Sequence, residues 1–144
     1  MPDMEKLSAM VVDAGFKLHD ALGPGLLESA YELILCERLR HMGLKVDRQM
    51  PINIAYDGIA IENAFRIDLL VEDRLVIELK SVEQTLPVHM KQVLTYLRLT
   101  GLTLGFIMNF GAPTFKAGVR RVVNGHGGFA SSRLRVMQNP GLAT

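Results

Sequence analysis

The chain has 144 residues, of which 49% are hydrophobic and 22% charged, and this composition is typical of one globular domain with a substantial core. Its apolar runs are too short to cross a bilayer, and its acidic start differs from the basic start of a signal peptide, so we expect a cytoplasmic protein. The single cysteine, Cys36, excludes an internal disulfide, and the four histidines show none of the spacings that bind zinc.

The net charge of +1 conceals an uneven distribution of charge along the chain. Residues 1–80 hold 9 Lys or Arg and 14 Asp or Glu, whereas residues 81–144 hold 7 and 1. One explanation is a chance distribution of solvated charges. The other is an acidic pocket beside a basic ridge that could contact phosphates.

Hydrophobic periodicity and turn residues predict the order ααβββαββ, which is a mixed α/β (α+β) class with one mixed sheet flanked by helices. The predicted helices cover residues 6–21, 26–41 and 87–100, and the predicted strands cover 45–56, 59–71, 75–80, 103–110 and 119–123. Residues 125–144 lack periodicity and carry turn residues. We therefore expect a single domain over 1–124 and a loosely packed or mobile tail over 125–144.

The hairpin over residues 64–80 carries the most informative charges. Asp68 interrupts an apolar strand, and Glu78 and Lys80 lie two apart on the next strand, so their side chains project from the same face. Two carboxylates that converge beside a lysine make an oxygen site suited to Mg²⁺. On these residues alone, a solvated cross-strand ion pair explains the pattern equally well.

Two further helices could contribute to such a site. Glu28 lies at the margin of the apolar stripe of the second helix; the helix dipole explains an acid there, and a third metal ligand also explains its position on the apolar side. Gln92 and Tyr96 lie one turn apart on the third helix. They are either ordinary boundary residues or groups that hydrogen-bond a carboxylate, a metal-bound water or a phosphate.

Together these residues fall into motifs that cover about residues 10–123. The motifs are Gly25-xx-Glu28-xx-Tyr31, Arg66-x-Asp68, Glu78-x-Lys80, Gln92-xxx-Tyr96 and Gly105-Phe-Ile-Met-Asn109-Phe110-Gly111. In order and spacing the chain resembles the GxxExxY protein family, which is assigned to the PD-(D/E)xK nuclease superfamily. It departs from the superfamily pattern at Ile67, where a proline often precedes the first acid.

The resemblance implies a restriction-endonuclease-like core and Mg²⁺-dependent hydrolysis of phosphodiester bonds in DNA, with Mn²⁺ as a substitute ion. It implies that Asp68, Glu78 and the carbonyl of Leu79 bind the metal, with Glu28 as a ligand directly or through water. Lys80 would then orient the attacking water.

The remaining implied roles concern positioning, DNA contact and assembly. The residues concerned are Gln92 and Tyr96 for positioning, and Arg98, Lys116, Arg120 and Arg121 for contacts with phosphates. A homodimer is also expected, resembling a junction resolvase or another structure-selective endonuclease or exonuclease. Two alternatives stay open: a non-catalytic module that binds nucleic acid or protein, and an enzyme that acts on a small phosphate.

Overall fold

The fold is known from a computed structural model, which describes residues 2–125 and the backbone of residues 134–136. Its elements in chain order are α1 (Met4–Leu22), α2 (Glu28–His41), β1 (Val46–Tyr56), β2 (Ile59–Val71), β3 (Leu75–Lys80), α3 (Pro87–Thr100), β4 (Leu104–Asn109), α4 (Phe115–Gly118), β5 (Val119–Val123) and β6 (Leu134–Val136). The predicted order ααβββαββ is confirmed, and α4 and β6 are additions to it.

The helix α4 lies between the predicted strands 103–110 and 119–123, where the sequence predicted no helix. The Thr114 hydroxyl accepts a hydrogen bond from the backbone N–H of Ala117 at 3.1 Å and so caps this single turn. Apolar periodicity cannot reveal a helix that is only one turn long.

The strand β6 falls within the expected tail, and its backbone pairs antiparallel with β1 at Ile54, Ala55 and Tyr56. Apart from Gly125 and the backbone of β6, the segment 125–144 lies outside the described part of the chain. The expectation of a loosely packed or mobile tail therefore stays a prediction.

The strands form one mixed sheet in the order β5-β4-β3-β2-β1-β6. Among the described strands, only β3 and β4 pair in parallel, and α3 supplies the crossover that a parallel connection requires. The other neighbours pair antiparallel. This arrangement places β3, which carries Glu78 and Lys80, in the interior of the sheet.

The sheet separates two hydrophobic clusters. On one side Leu69, Ile77 and Phe106 pack with residues of α1 and α2. On the other side Val76 and Ile107 pack with residues of α3, among them Val93 and Leu97. Side chains alternate along a strand, so Glu78 and Lys80 share the α3-side face with Val76.

Candidate active site

The strands β2 and β3 separate at Asp68. Their backbone pairing runs from Val71 and Leu75 to Leu69 and Ile77 and extends no further. Beyond it, the N–H of Asp68 donates to Glu78 Oε1 at 3.1 Å, and the N–H of Leu79 donates to Asp68 Oδ2 at 2.9 Å. Each carboxylate therefore takes a hydrogen bond from the backbone of the opposite strand, in the gap where the ladder ends.

The carbonyl of Leu79 points into the same gap. The Lys80 carbonyl accepts from the N–H of Phe110 at 2.8 Å, towards β4. Successive peptide groups on a strand point in opposite directions, so both polar groups of Leu79 point towards β2, as its bond to Asp68 shows. Two carboxylates and one carbonyl thus converge between β2 and β3.

The Glu78 carboxyl is buried, with 5% of the residue exposed, in a site rich in negative charge. Burial first, and then the negative charge of Asp68, raise the pKa of Glu78 to about 9. The N–H of Asp68 and the charge of Lys80 oppose this shift only in part. In this metal-free arrangement Glu78 keeps a proton at neutral pH, and a nearby cation would favour its loss.

The Tyr96 side chain of α3 approaches the two carboxylates from one face of the sheet. Burial, followed by the charges of Glu78 and Asp68, raises the pKa of the phenol. The ring stacks on Phe65 of β2 with 4.3 Å between ring centroids, and Gln92 interacts with the phenol. The predicted Gln92–Tyr96 pair therefore does lie beside the carboxylates.

Glu28, in the first turn of α2, is half-buried near the same gap. Burial and then the negative charge of Asp68 raise the pKa of the Glu28 carboxyl, and the charge of Lys80 opposes them. Among residues 2–125, no group of three or more Asp, Glu, His or Cys side chains is arranged to hold an ion. The oxygen atoms that converge at the end of the β2–β3 ladder are those of Asp68, Glu78 and the Leu79 carbonyl. Oxygen groups of this kind are the ones that Mg²⁺ prefers, and Mg²⁺ usually keeps several waters.

The family model described as the PD-(D/E)XK nuclease superfamily matches residues 5–122. The chain belongs to this superfamily. Neither the search of curated proteins nor the search of solved structures returned a match. Membership and the mixed sheet between helices agree with the expected restriction-endonuclease-like core.

Superfamily membership suggests a nuclease-like function, because members are usually phosphodiesterases that use divalent metals. The match does not extend to the narrower GxxExxY family, which stays a resemblance. In the described part of the chain, we find no helix with the length and apolar character needed to span a membrane.

The sequence did not predict two residues that lie beside these carboxylates. Glu32 of α2 is only 3% exposed, and Gln49 of β1 donates from Nε2 to Glu32 Oε2 at 2.6 Å and to Asp68 Oδ1 at 3.3 Å. Burial raises the pKa of the Glu32 carboxyl above its ordinary value, and the hydrogen bond from Gln49 opposes this shift only in part. The available signal was the spacing of Glu28 and Glu32, one turn apart at the apolar margin of the same helix.

Tyr31, the last residue of the first motif, supports the loop that precedes Glu28. Its ring stacks on Phe110 with 4.6 Å between centroids. Its hydroxyl donates to the Gly23 carbonyl at 2.5 Å and accepts from the N–H of Leu26 at 3.1 Å. The motif therefore combines Glu28, which lies near the carboxylates, with Tyr31, which holds the loop that leads to Glu28.

Asn109 supports the loop that follows Lys80. It is buried, and its Oδ1 accepts from the N–H groups of Val82 at 3.1 Å and Gly111 at 3.0 Å. A Cβ at Gly111 would lie 2.3 Å from the Val82 carbonyl oxygen, so only glycine fits there. This motif thus shapes the backbone of the loop that follows Lys80.

The four predicted phosphate contacts, Arg98, Lys116, Arg120 and Arg121, are all exposed. On β5, Arg120 shares the α3-side face with Val122, and Arg121 lies beside α1 on the opposite face. Arg120 and Arg121 therefore do not form one continuous surface. Of these two residues, Arg120 is the one on the face of Glu78 and Lys80.

Proposed function

We propose that this protein is a Mg²⁺-dependent nuclease that hydrolyses phosphodiester bonds in DNA. The supporting observation is the junction at the end of the β2–β3 ladder, where Asp68 and Glu78 accept hydrogen bonds from each other's strand. An exposed ion pair would leave the acids solvated, whereas Glu78 is buried next to Asp68, and burial together with the charge of Asp68 outweighs the opposing charge of Lys80. Such a placement costs stability and is typical of a functional site.

Each residue of the site has a distinct role in this proposal. Asp68, Glu78 and the Leu79 carbonyl would hold the ion, with Glu28 acting through water. When bound, Mg²⁺ supplies polarisation of the scissile phosphate and a lowered pKa for an attacking water. The Lys80 ammonium, on the face of Glu78, would orient that water and offset the charge that develops on the phosphoryl oxygens.

Contacts with DNA would come from exposed basic side chains on the α3 side of the sheet. Arg98 and Arg120 are candidates on this side, and Lys116 is a further exposed candidate on α4, whose Phe115 packs in the cluster on the α1 side. The net charge of +1 is too small for indiscriminate coating of duplex DNA. We therefore include selectivity for DNA structure in the proposal, with a few local phosphate contacts.

A homodimer is also part of the proposal. The β1–β2 hairpin exposes the apolar side chains of Tyr56, Ile59 and Ile61, with relative exposures of 44%, 63% and 40%. Apolar surface at a strand hairpin favours association. Analytical ultracentrifugation of wild type and Ile59→Lys would show a dimer that the substitution weakens, and a monomeric wild type would remove this part of the proposal.

The test of function is a cleavage assay on single-stranded, duplex, flapped and four-way junction DNA, with matched RNA, in Mg²⁺ or Mn²⁺. Wild type should cleave at least one DNA substrate, and Asp68→Ala and Glu78→Ala should not. Glu62→Ala, which removes an exposed acid from the same strand β2, should match wild type. A wild type that binds DNA and cleaves none of the substrates would favour the non-catalytic binding module.

A further inference from the structure

Gln49 occupies an unusual backbone position on β1. The pairs on either side of it, Arg48 with Leu69 and Met50 with Ile67, place it directly opposite Asp68. Its φ is 54°, in the left-handed region that residues other than glycine rarely adopt. Such strain persists only where the surroundings impose it, and it often accompanies a functional site.

The strand opposite Gln49 is irregular at the same point. Leu69 packs on the α1 and α2 side of the sheet, and Ile67, two residues before it, packs on the α3 side. Strict alternation would put both on one face. Asp68 therefore lies where the strand changes face.

The Gln49 amide has three hydrogen-bonding partners. Its Nε2 donates to Glu32 Oε2 at 2.6 Å and to Asp68 Oδ1 at 3.3 Å, and its Oε1 accepts from Arg66 Nη1 at 3.2 Å. A flipped amide would direct its oxygen at two carboxylates and its nitrogen at a guanidinium. The partners therefore determine the amide orientation.

These contacts fix both oxygens of Asp68. Oδ2 accepts from the N–H of Leu79 at 2.9 Å, and Oδ1 accepts from Gln49, which is itself anchored to the buried Glu32 of α2. A carboxylate oxygen has two acceptor positions, so each retains one for an ion. The plane of the Asp68 carboxylate is thus held from β3 on one side and from β1 and α2 on the other.

We propose that Gln49 is a positioning residue of the active site: it fixes the Asp68 carboxylate by connecting it to Glu32, and Arg66 fixes the amide. The contribution to metal binding and cleavage rests on the proposed nuclease function. The effect on the Asp68 carboxylate does not rest on that function, because the hydrogen bond from Gln49 to Asp68 is present without metal. A purely structural link between α2 and β1 would affect folding stability and leave the properties of Asp68 unchanged.

The experiment compares variants of Gln49 with a matched amide on the same strand. Gln49→Leu removes both donors at similar volume, and Gln49→Gly removes the side chain with a residue that accepts φ 54°. The control is Asn53→Leu, since Asn53 Oδ1 accepts the N–H of Asn63, at 2.8 Å, on the exposed part of the hairpin. Melting in EDTA establishes that each variant folds.

The expected result is that the dissociation constant for Mn²⁺, measured by calorimetry, rises about 10–100-fold in both Gln49 variants, as is usual when a partner of a ligand is lost. Saturating Mn²⁺ should restore kcat to within a few-fold of wild type. Asn53→Leu should change neither quantity. Glu32→Gln keeps an oxygen that accepts from Gln49, so it should bind Mn²⁺ more tightly than Glu32→Leu.

A second readout needs neither metal nor activity. The ¹³C carboxyl resonance of Asp68 in metal-free protein should shift in the Gln49 variants and stay in place in Asn53→Leu. An unchanged Asp68 resonance, or wild-type Mn²⁺ affinity in folded Gln49→Gly, would overturn the inference. If wild type binds no divalent metal, the proposed function fails, and the Asp68 resonance alone decides the role of Gln49.

Discussion

Asp68 and Glu78 are joined through the backbone as well as by proximity: the N–H of Asp68 donates to Glu78 Oε1 at 3.1 Å, and the N–H after Glu78 donates to Asp68 Oδ2 at 2.9 Å. The end of the β2–β3 ladder therefore orients both acids before any ion binds. The protein is preorganised for a cation, and it bears the electrostatic cost of two neighbouring carboxylates in its absence.

This cost predicts a pH dependence of stability in EDTA. The pKa of Glu78 is raised to about 9 in the folded protein, above its ordinary value of 4.5, so the folded state binds the proton more tightly than the unfolded state. The stabilisation from that proton is complete below the ordinary pKa and is lost as the pH rises towards 9. The free energy of unfolding, measured by urea titration, should therefore fall between these pH values.

Glu78→Gln should flatten this pH dependence, because the amide does not titrate. Glu62→Gln, on the exposed part of β2, should retain the slope of wild type. A slope that is unchanged in Glu78→Gln would show that Glu78 is already ionised in the metal-free protein.

Lys80 is expected to act on the rate of cleavage and not on metal binding. Lys80→Ala should retain Mg²⁺ and DNA binding and lose about two to three orders of magnitude in the cleavage rate, the usual effect of removing a group that stabilises the transition state. Lys80→Arg should not rescue it, because a planar guanidinium cannot replace a compact ammonium. Single-turnover cleavage measures both variants, with Lys17→Ala as the control, since Lys17 is an exposed lysine of α1 on the opposite side of the sheet.

Tyr31→Phe tests the support of the loop before Glu28. The substitution keeps the stacking on Phe110 and removes the hydroxyl that bonds Gly23 and Leu26. Loss of these bonds should lower the free energy of unfolding by about 1–3 kcal/mol, measured in urea. Tyr56→Phe, at a 44% exposed position, should cost much less, and equal losses would contradict the assigned role of Tyr31.

Deletion of residues 126–144 removes β6, whose backbone pairs with Ile54, Ala55 and Tyr56 of β1 at one edge of the sheet. These residues lie on the hairpin, away from Asp68 in the strand order, so metal binding should be unchanged and the melting temperature should fall only slightly. Thermal melting and calorimetry measure the two effects. A cooperative loss of stability would show that the segment is an integral part of the domain.

Much of the fold was predictable from the sequence, because its long elements carry clear periodicity. The period of two along 75–80 placed Glu78 and Lys80 on one face, and Pro87 and Gly101 marked the ends of α3. The short α4 and β6 have too few residues for any periodicity to be visible. Local pattern thus predicted the core of the sheet and missed its smallest parts.

The candidate site was predictable to a lesser extent. Asp68 and Glu78 stood out as acids within apolar runs, since burial of an unpartnered charge is unfavourable. Gln49 and Glu32 were missed because their connection depends on how β1 pairs with β2 and where α2 packs. The left-handed φ of Gln49 has no signature in the sequence, since glutamine rarely adopts it.

The central claim is that Asp68 and Glu78 form a metal site, and calorimetric titration of Mg²⁺ and Mn²⁺ into wild type and Asp68→Asn tests it most directly. Wild type should bind the ions and melt at a higher temperature in their presence, by mass action. Asp68→Asn should bind neither, and in EDTA it should melt at or above the wild-type temperature, because the substitution removes a negative charge that acts on the carboxyl groups of Glu28 and Glu32. Equal binding by Asp68→Asn, no binding by wild type, or strong destabilisation of metal-free Asp68→Asn would contradict the claim.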